Sequence, residues 1–276
     1  MCGLIKLSSP ETKEFWEITV LFEDEHLLAL DKPSCLLTSP DRYDPNRPNL
    51  MQLLHRDIQR GAFWTRERQI TYLAAAHRLD FETSGVLLLA KEKPALIALA
   101  DQFGAEKPVK TYVALVQGTP RQEQFEMNLK LAPHPAKTGV MRVDERIGKR
   151  ASTSFAVQER FQGYTLLQCR PATGRIHQIR VHLQRARVPI VGDGLYGGRP
   201  LLLSTLKTHY RLKGKQVERP LISRAALHAE TLELPHPVTA TPVVIAAPWP
   251  KDLKVAVKYL RRFAAAPAQG PDAPVQ

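Results

Sequence analysis

The sequence predicts an α+β fold with a mixed, mainly antiparallel sheet and flanking helices. Three observations carry this. Strand-like and helix-like segments are mixed without a repeating βαβ rhythm. Residues 86–90, Val-Leu-Leu-Leu-Ala, form an unbroken apolar run, as a strand buried on both faces can. No internal repeat and no interdomain linker divides the chain. One domain is therefore expected over 15–263, between an N-terminal extension (1–14) and an Ala/Pro-rich tail (264–276) that reads as disordered.

Residues 18–30 read as two strands around the acidic turn Glu23-Asp24-Glu25, closed by Asp31-Lys32-Pro33. Residues 41–49, with Pro45 and Pro48, are a loop. Asn49 is placed to cap a helix from Leu50, with Leu53, Leu54 and Ile58 on one face. Pro94 suits the first turn of a second helix, striped by Leu96, Leu99 and Phe103 and ended by Gly104. Strands follow at 111–116, 153–158 and 164–169, the last two paired around Gly163. Ile176, Ile179 and Leu183 recur at helical spacing, so a helix is expected just after Gly174-Arg175. Its polar face would carry His177, Arg180 and Arg187. Further strands are read at 226–234 and 243–246, and a basic amphipathic helix at 252–263.

A chain of 276 residues, 43% hydrophobic and 24% charged, can bury a sizeable core. Its net charge of +12 favours a polyanionic partner, nucleic acid before anionic membrane. From Arg170 to Arg224 twelve Lys and Arg face only Asp193 and Glu218, so this stretch holds most of the excess. Cys2, Cys35 and Cys169 are odd in number and far apart, as in a reduced, cytoplasmic protein. No apolar run approaches a membrane span, and no signal peptide is read. With Met1 removed, Cys2 would be an N-terminal thiol, the nucleophile of class II glutamine amidotransferases. The polar residues that follow, with Pro10, argue against the buried strand which that fold needs.

The segment His77 to Lys91, HRLDFETSGVLLLAK, is the most informative about chemistry. It mounts one carboxylate, Asp80, on a short loop against the buried strand. A rigid mount suits an acid, base or nucleophile, although turns favour Asp for their own reasons. Arg78 adds a cation beside it. The string resembles the signature of the RluA-type pseudouridine synthases, which isomerise uridine in RNA. Two further segments are similar to that family: 110–118, KTYVALVQG, and 174–183, GRIHQIRVHL, continued by Pro189-Ile190-Val191-Gly192-Asp193 and Tyr196-Gly197.

The resemblance covers roughly 18–248. It implies the pseudouridine synthase fold with a central cleft, a substrate in ribosomal or transfer RNA, and no cofactor or metal. It implies Asp80, Tyr112 and Arg175 as catalytic residues, with Arg175 ion-paired to Asp80. Arg78, which would hold the place vacated by the flipped base, is assigned to RNA or substrate contact. So are His77, Thr83, Lys110, Gln178, Arg180 and Leu227, the last an apolar wall behind the base. Ile176 departs from the pattern, which usually has Thr or Ser there. A basic insertion at about 199–220 is read as touching RNA. No S4 RNA-binding module is expected ahead of the core, and a monomer is expected. Two rivals remain at this level. One is a catalytically silent RNA-binding protein. The other is a nucleoside or glycoside hydrolase, which needs two carboxylates where the motifs supply only Asp80. His177 and His182 lie about 140° apart around a helix, so a metal pair is not favoured.

Overall fold

The computed structural model describes residues 3–41, 44, 46–210 and 217–266. The strands are β1 Leu4–Ser8, β2 Phe15–Glu23, β3 Leu27–Lys32, β4 Ala74–Ala75, β5 Ser84–Ala90, β6 Val109–Gln117, β7 Gln124–Pro133, β8 Met141–Val143, β9 Lys149–Phe161, β10 Tyr164–Pro171, β11 Leu227–Pro235 and β12 Pro242–Ala246. The helices are α1 Leu50–Gln59, α2 Phe63–Glu67, α3 Lys93–Gly104, α4 Gln178–Arg185, α5 Leu203–Leu206 and α6 Lys251–Phe263. The main path of the sheet runs β1-β2-β3-β5-β11-β6-β10-β9-β7-β8, with β12 on β11 and β4 on β5.

The pairing of β5 with β11 is parallel, whereas the other named strand pairs are antiparallel. It joins the two halves of the sheet through His228↔Ser84 and Ala229↔Gly85. Gly85 sits at φ +112, and a Cβ there would fall 2.1 Å from the Ala229 carbonyl oxygen. Only glycine permits that approach. The Thr-Ser-Gly of the motif is therefore partly a requirement of this seam. β5 is buried at every position, as its apolar run predicts. One face packs on α1 and α2 through Leu87 and Leu89, the other on α3 and β12 through Val86 and Leu88.

The helices largely follow their sequence signals. The Asn49 side chain accepts from the Gln52 N–H at 2.9 Å, capping α1. Pro94 opens α3, and Leu96, Leu99 and Phe103 pack inward. In α6, Leu253, Ala256, Val257 and Leu260 are buried.

Four expectations need correction. The supposed N-terminal extension contains β1, which pairs with β2 and buries Ile5 and Leu7. The argument that the polar composition of this segment excludes a strand fails, because alternation needs only every second residue apolar. The hairpin β7–β8 was missed, although Gln124 to Leu131 alternates polar and apolar residues along β7. The helix expected just after Gly174-Arg175 begins only at Gln178. His177 takes a left-handed φ of 54° and turns Ile176 out to solvent. Finally, Arg180 is not on a solvated face but buried.

The ends of the basic insertion meet where the Leu221 N–H donates to the Leu201 carbonyl at 2.8 Å. Residues 211–216, which include Arg211, Lys213 and Lys215, lie outside the described residues, as do Cys2 and the tail from 267. Ala264 to Ala266 are described, and Ala265 bridges to Phe161.

Candidate active site

Asp80 opens a turn that the Thr83 N–H closes by donating to its carbonyl at 3.1 Å. That turn leads directly into β5. Its side chain is 25% exposed, and its Oδ2 lies 3.7 Å from Nη1 of Arg180. Arg180 is held by the fully buried Asp193, with Nε and Nη2 donating to the two carboxylate oxygens at 2.7 and 2.8 Å. Its guanidinium also lies 4.9 Å from the Tyr196 ring centroid. Burial alone would weaken its charge. The hydrogen bonds and charge of Asp193, helped by Asp80, hold it firmly protonated. A fixed cation 3.7 Å from a part-exposed carboxylate orients that carboxylate.

Arg175 was expected in this role and does not fill it. It is exposed, and its Nε donates to the Arg150 carbonyl at 3.0 Å. The helix phase explains the exchange. Arg175 precedes the left-handed turn at His177, whereas Arg180 sits inside α4 on the face toward Asp193. Gly192 makes the turn that presents Asp193. It has φ +78, and a Cβ there would lie 2.2 Å from the Arg224 carbonyl.

Tyr112 lies on β6, beside the seam, opposite Ala229 of β11. Burial and the charge of Asp80 both push its hydroxyl above the usual tyrosine range, so it is a neutral phenol. Arg78 is exposed and unpaired among the described residues.

Five other candidates make contacts within the fold. His77 accepts the Leu88 N–H at 3.1 Å and stacks on Phe103 at 5.2 Å, so it packs against α3. Gln178 braces the segment before α4. Its Oε1 accepts from Thr173 Oγ1 and the Arg175 N–H, and its Nε2 donates to the Ser152 carbonyl and Thr153 Oγ1. Thr83 and Leu227 are buried, Leu227 within the core that residues of β6, β10, α4 and α6 share. Lys110 is half-buried, with its ammonium weakened by burial, and Nζ donates to the Thr173 carbonyl at 3.4 Å.

The structure adds residues that motif reading missed. Thr38 clamps Leu79, the neighbour of Asp80. Its Oγ1 donates to the Leu79 carbonyl at 3.0 Å and lies 3.2 Å from the Leu79 N–H. The Cys35 N–H donates to the Phe81 carbonyl at 2.8 Å on the other side. Lys32 is fully buried and donates from Nζ to the Pro33 and Leu36 carbonyls at 2.8 and 2.6 Å. Burial pushes its ammonium down to about 7, against the charge of Asp80, which raises it. Arg224 was counted as surface charge but is buried. It forks onto Asp252 of α6 at 2.8 and 3.1 Å and donates to the Glu82 carbonyl at 3.1 Å. Thr38, Cys35 and Arg224 act on segments distant along the chain, whereas Lys32 bonds carbonyls close by in sequence and is set apart by its burial.

The expectation of a single carboxylate also needs amending. Glu82 Oε2 lies 4.0 Å from Arg180 Nη2, although it also accepts the Ala225 N–H at 3.3 Å. The histidines suspected of metal binding are committed elsewhere. His177 Nδ1 bonds the Tyr196 hydroxyl at 2.8 Å, and His182 Nδ1 bonds Thr153 Oγ1 at 3.0 Å. His228 faces Ser84 and the Ala247 carbonyl.

Comparison with known proteins identifies the family. Residues 26–185 match the RNA pseudouridylate synthase family. Ribosomal large subunit pseudouridine synthase D of Xylella fastidiosa is 38% identical over 250 residues, 90% of this chain and 71% of that one. Ribosomal large subunit pseudouridine synthase C of Salmonella typhi is 35% identical over 248 residues, 88% of this chain and 70% of that one. Among solved structures, human RNA pseudouridylate synthase domain containing 4 superposes with a TM-score of 0.66 at 22% identity, over 88% of this chain and 92% of that one, a likeness of fold. A part-exposed carboxylate locked to a buried arginine at the seam of this fold, together with these matches, places the chain in the RNA pseudouridylate synthase family, whose members are isomerases converting uridine to pseudouridine in RNA.

Proposed function

We propose that this chain isomerises specific uridines of large-subunit ribosomal RNA, with Asp80 as the acting carboxylate. The observation that carries the reading is the Asp80–Arg180–Asp193 arrangement. The relatives named for ribosomal large-subunit RNA support the choice of RNA. Breaking the C1′–N1 bond leaves the sugar electron-deficient, and a carboxylate beside it answers that need. Asp80 either attacks C1′ or removes a sugar proton to give a glycal. Uracil then turns and rejoins through C5, which loses its proton. Tyr112 offers the freed base a ring face, and as a neutral phenol it carries no competing charge. Arg78 holds the vacated place in the RNA. The protein acts as a monomer in the cytoplasm.

Asp80→Asn keeps shape but removes the carboxylate. It abolishes tritium release from RNA labelled at uracil C5 while leaving RNA binding nearly intact. Turnover near the wild-type level would refute the assignment. A pseudouridine map of ribosomal and transfer RNA, with and without the protein, names the uridine. Glu82 keeps the hydrolase reading testable, since hydrolysis would release free uracil and isomerisation would not.

A further inference from the structure

Two large aliphatic side chains stand exposed beside the site. Ile176 is 50% exposed and Leu195 is 49% exposed. Each precedes a member of the network around Arg180. Ile176 precedes His177, Leu195 precedes Tyr196, and those two are joined by the 2.8 Å bond between Nδ1 and the hydroxyl. Their rings also meet edge-on at 5.5 Å. The charge of Asp80 reaches both groups. Two separate segments therefore bring one apolar residue each to the neighbourhood of the acting carboxylate.

Neither residue is exposed for want of a core. Ile179 and Leu183, on the same helical spacing as Ile176, are buried. The left-handed turn at His177 withdraws Ile176 from that stripe. Tyr196, next to Leu195, is buried under Arg180. Exposed cations flank the pair along the chain, Arg175 before Ile176 and Arg199 after Leu195. Cations position a backbone through phosphates, whereas apolar side chains find use on base faces.

Extruding a uridine from a stack uncovers the faces of its neighbours. Aliphatic side chains serve at such steps by packing on the uncovered face. We propose that Ile176 and Leu195 form an apolar subsite for the nucleobase adjacent to the target uridine, and so help select which uridine is modified. This rests on the reading of the chain as an RNA isomerase acting through Asp80.

The test is a double-mutant cycle between protein and RNA. The substrates are ligated large-subunit RNA fragments, tritiated at uracil C5 of the mapped uridine, carrying an abasic residue on its 5′ or its 3′ side. The protein is wild type or Ile176→Ser with Leu195→Ser. On intact RNA the variant loses about tenfold in kcat/KM, a modest stacking contribution. One of the two abasic substrates costs the wild type a similar factor and costs the variant nothing more. A variant as fast as wild type on intact RNA would overturn the proposal. So would losses that multiply on both abasic substrates, or a change in sedimentation without a change in base preference. Thermal melting confirms the fold of the variant. An active Asp80→Asn would instead remove the functional reading, so the two failures are distinct.

Discussion

Burying Arg180 beside Asp193 takes two charges out of water, and the two-pronged geometry at 2.7 and 2.8 Å makes that tolerable. Removing one partner strands the other. Asp193→Asn should therefore destabilise the fold by about 3–5 kcal/mol, read as a lowered denaturant midpoint. Arg180→Lys keeps the charge but loses the fork, so it should retain part of the stability and lose most of the turnover. Arg175→Ala is the informative contrast. Arg175 is exposed and spends its guanidinium on a backbone carbonyl. Its loss should leave the rate at saturating RNA within about threefold of wild type, since exposed substitutions usually cost under about 0.5 kcal/mol. A large loss in Arg175→Ala with a small one in Arg180→Lys would reverse the two roles.

At the scale of elements, the loop before α1 ties that helix to the Asp80 turn. The Leu37 and Thr38 carbonyls accept the Leu50 and Met51 N–H groups, at 2.8 and 3.1 Å, and so satisfy the start of α1. The same Thr38 clamps Leu79. Thr38→Val keeps the shape and leaves the Leu79 peptide groups unpaired, a cost of about 1–3 kcal/mol. The resulting freedom of Asp80 should lower kcat about tenfold with KM little changed, because misplacement acts on the reacting geometry. Thr38→Ser keeps the hydroxyl and should restore the rate. Loss of KM alone, or no rescue by Ser, would make Thr38 a packing residue. On the opposite side Arg224 joins α6, the Glu82 carbonyl and the start of β11. The Asp80 turn is thus held from both halves of the sheet.

For the whole molecule, three histidines make stability depend on pH. Burial pushes His77, His182 and His228 down to about 4 from an ordinary value near 6.5. The unfolded chain therefore binds more protons between those values. The stability these three histidines contribute is full above pH 6.5 and falls as pH drops toward 4. Each group contributes about 1.4 kcal/mol per pH unit in that window. The denaturant midpoint should fall from pH 6.5 to 5, with Asp31, raised to about 6, opposing part of the drop, and should rise from 7 to 8 as the folded chain sheds the proton of buried Lys32, held down to about 7. His228→Asn should flatten the acid limb. The net charge of +12 acts differently, through phosphates, and each contact adds about 0.7 to the slope of log affinity against log salt on single strands. Arg180 and Arg224 are buried and should not enter that slope, although they belong to the most basic stretch of the sequence.

Contiguous pattern was enough to read the α+β class, the buried strand β5, the cap of α1 and the start of α3. Each of these depends on neighbours within one segment: a run of apolar residues, Asn49 before a helical stripe, a proline in a first turn. Asp80 was singled out by the resemblance of its motif. The choice of Arg180 over Arg175 was not readable in that way. Both arginines stand in one short motif, and what separates them is the left-handed turn at His177 and a buried Asp193 thirteen residues beyond Arg180. Thr38 and Arg224 were equally silent, because they reach carbonyls and a carboxylate that only the closed sheet brings near, and Lys32 because its full burial is tertiary although its partners are local. Local periodicity encodes which face of an element is buried. Which polar group meets which across the seam of β5 and β11 is decided by the register of that pairing, and hence by tertiary structure.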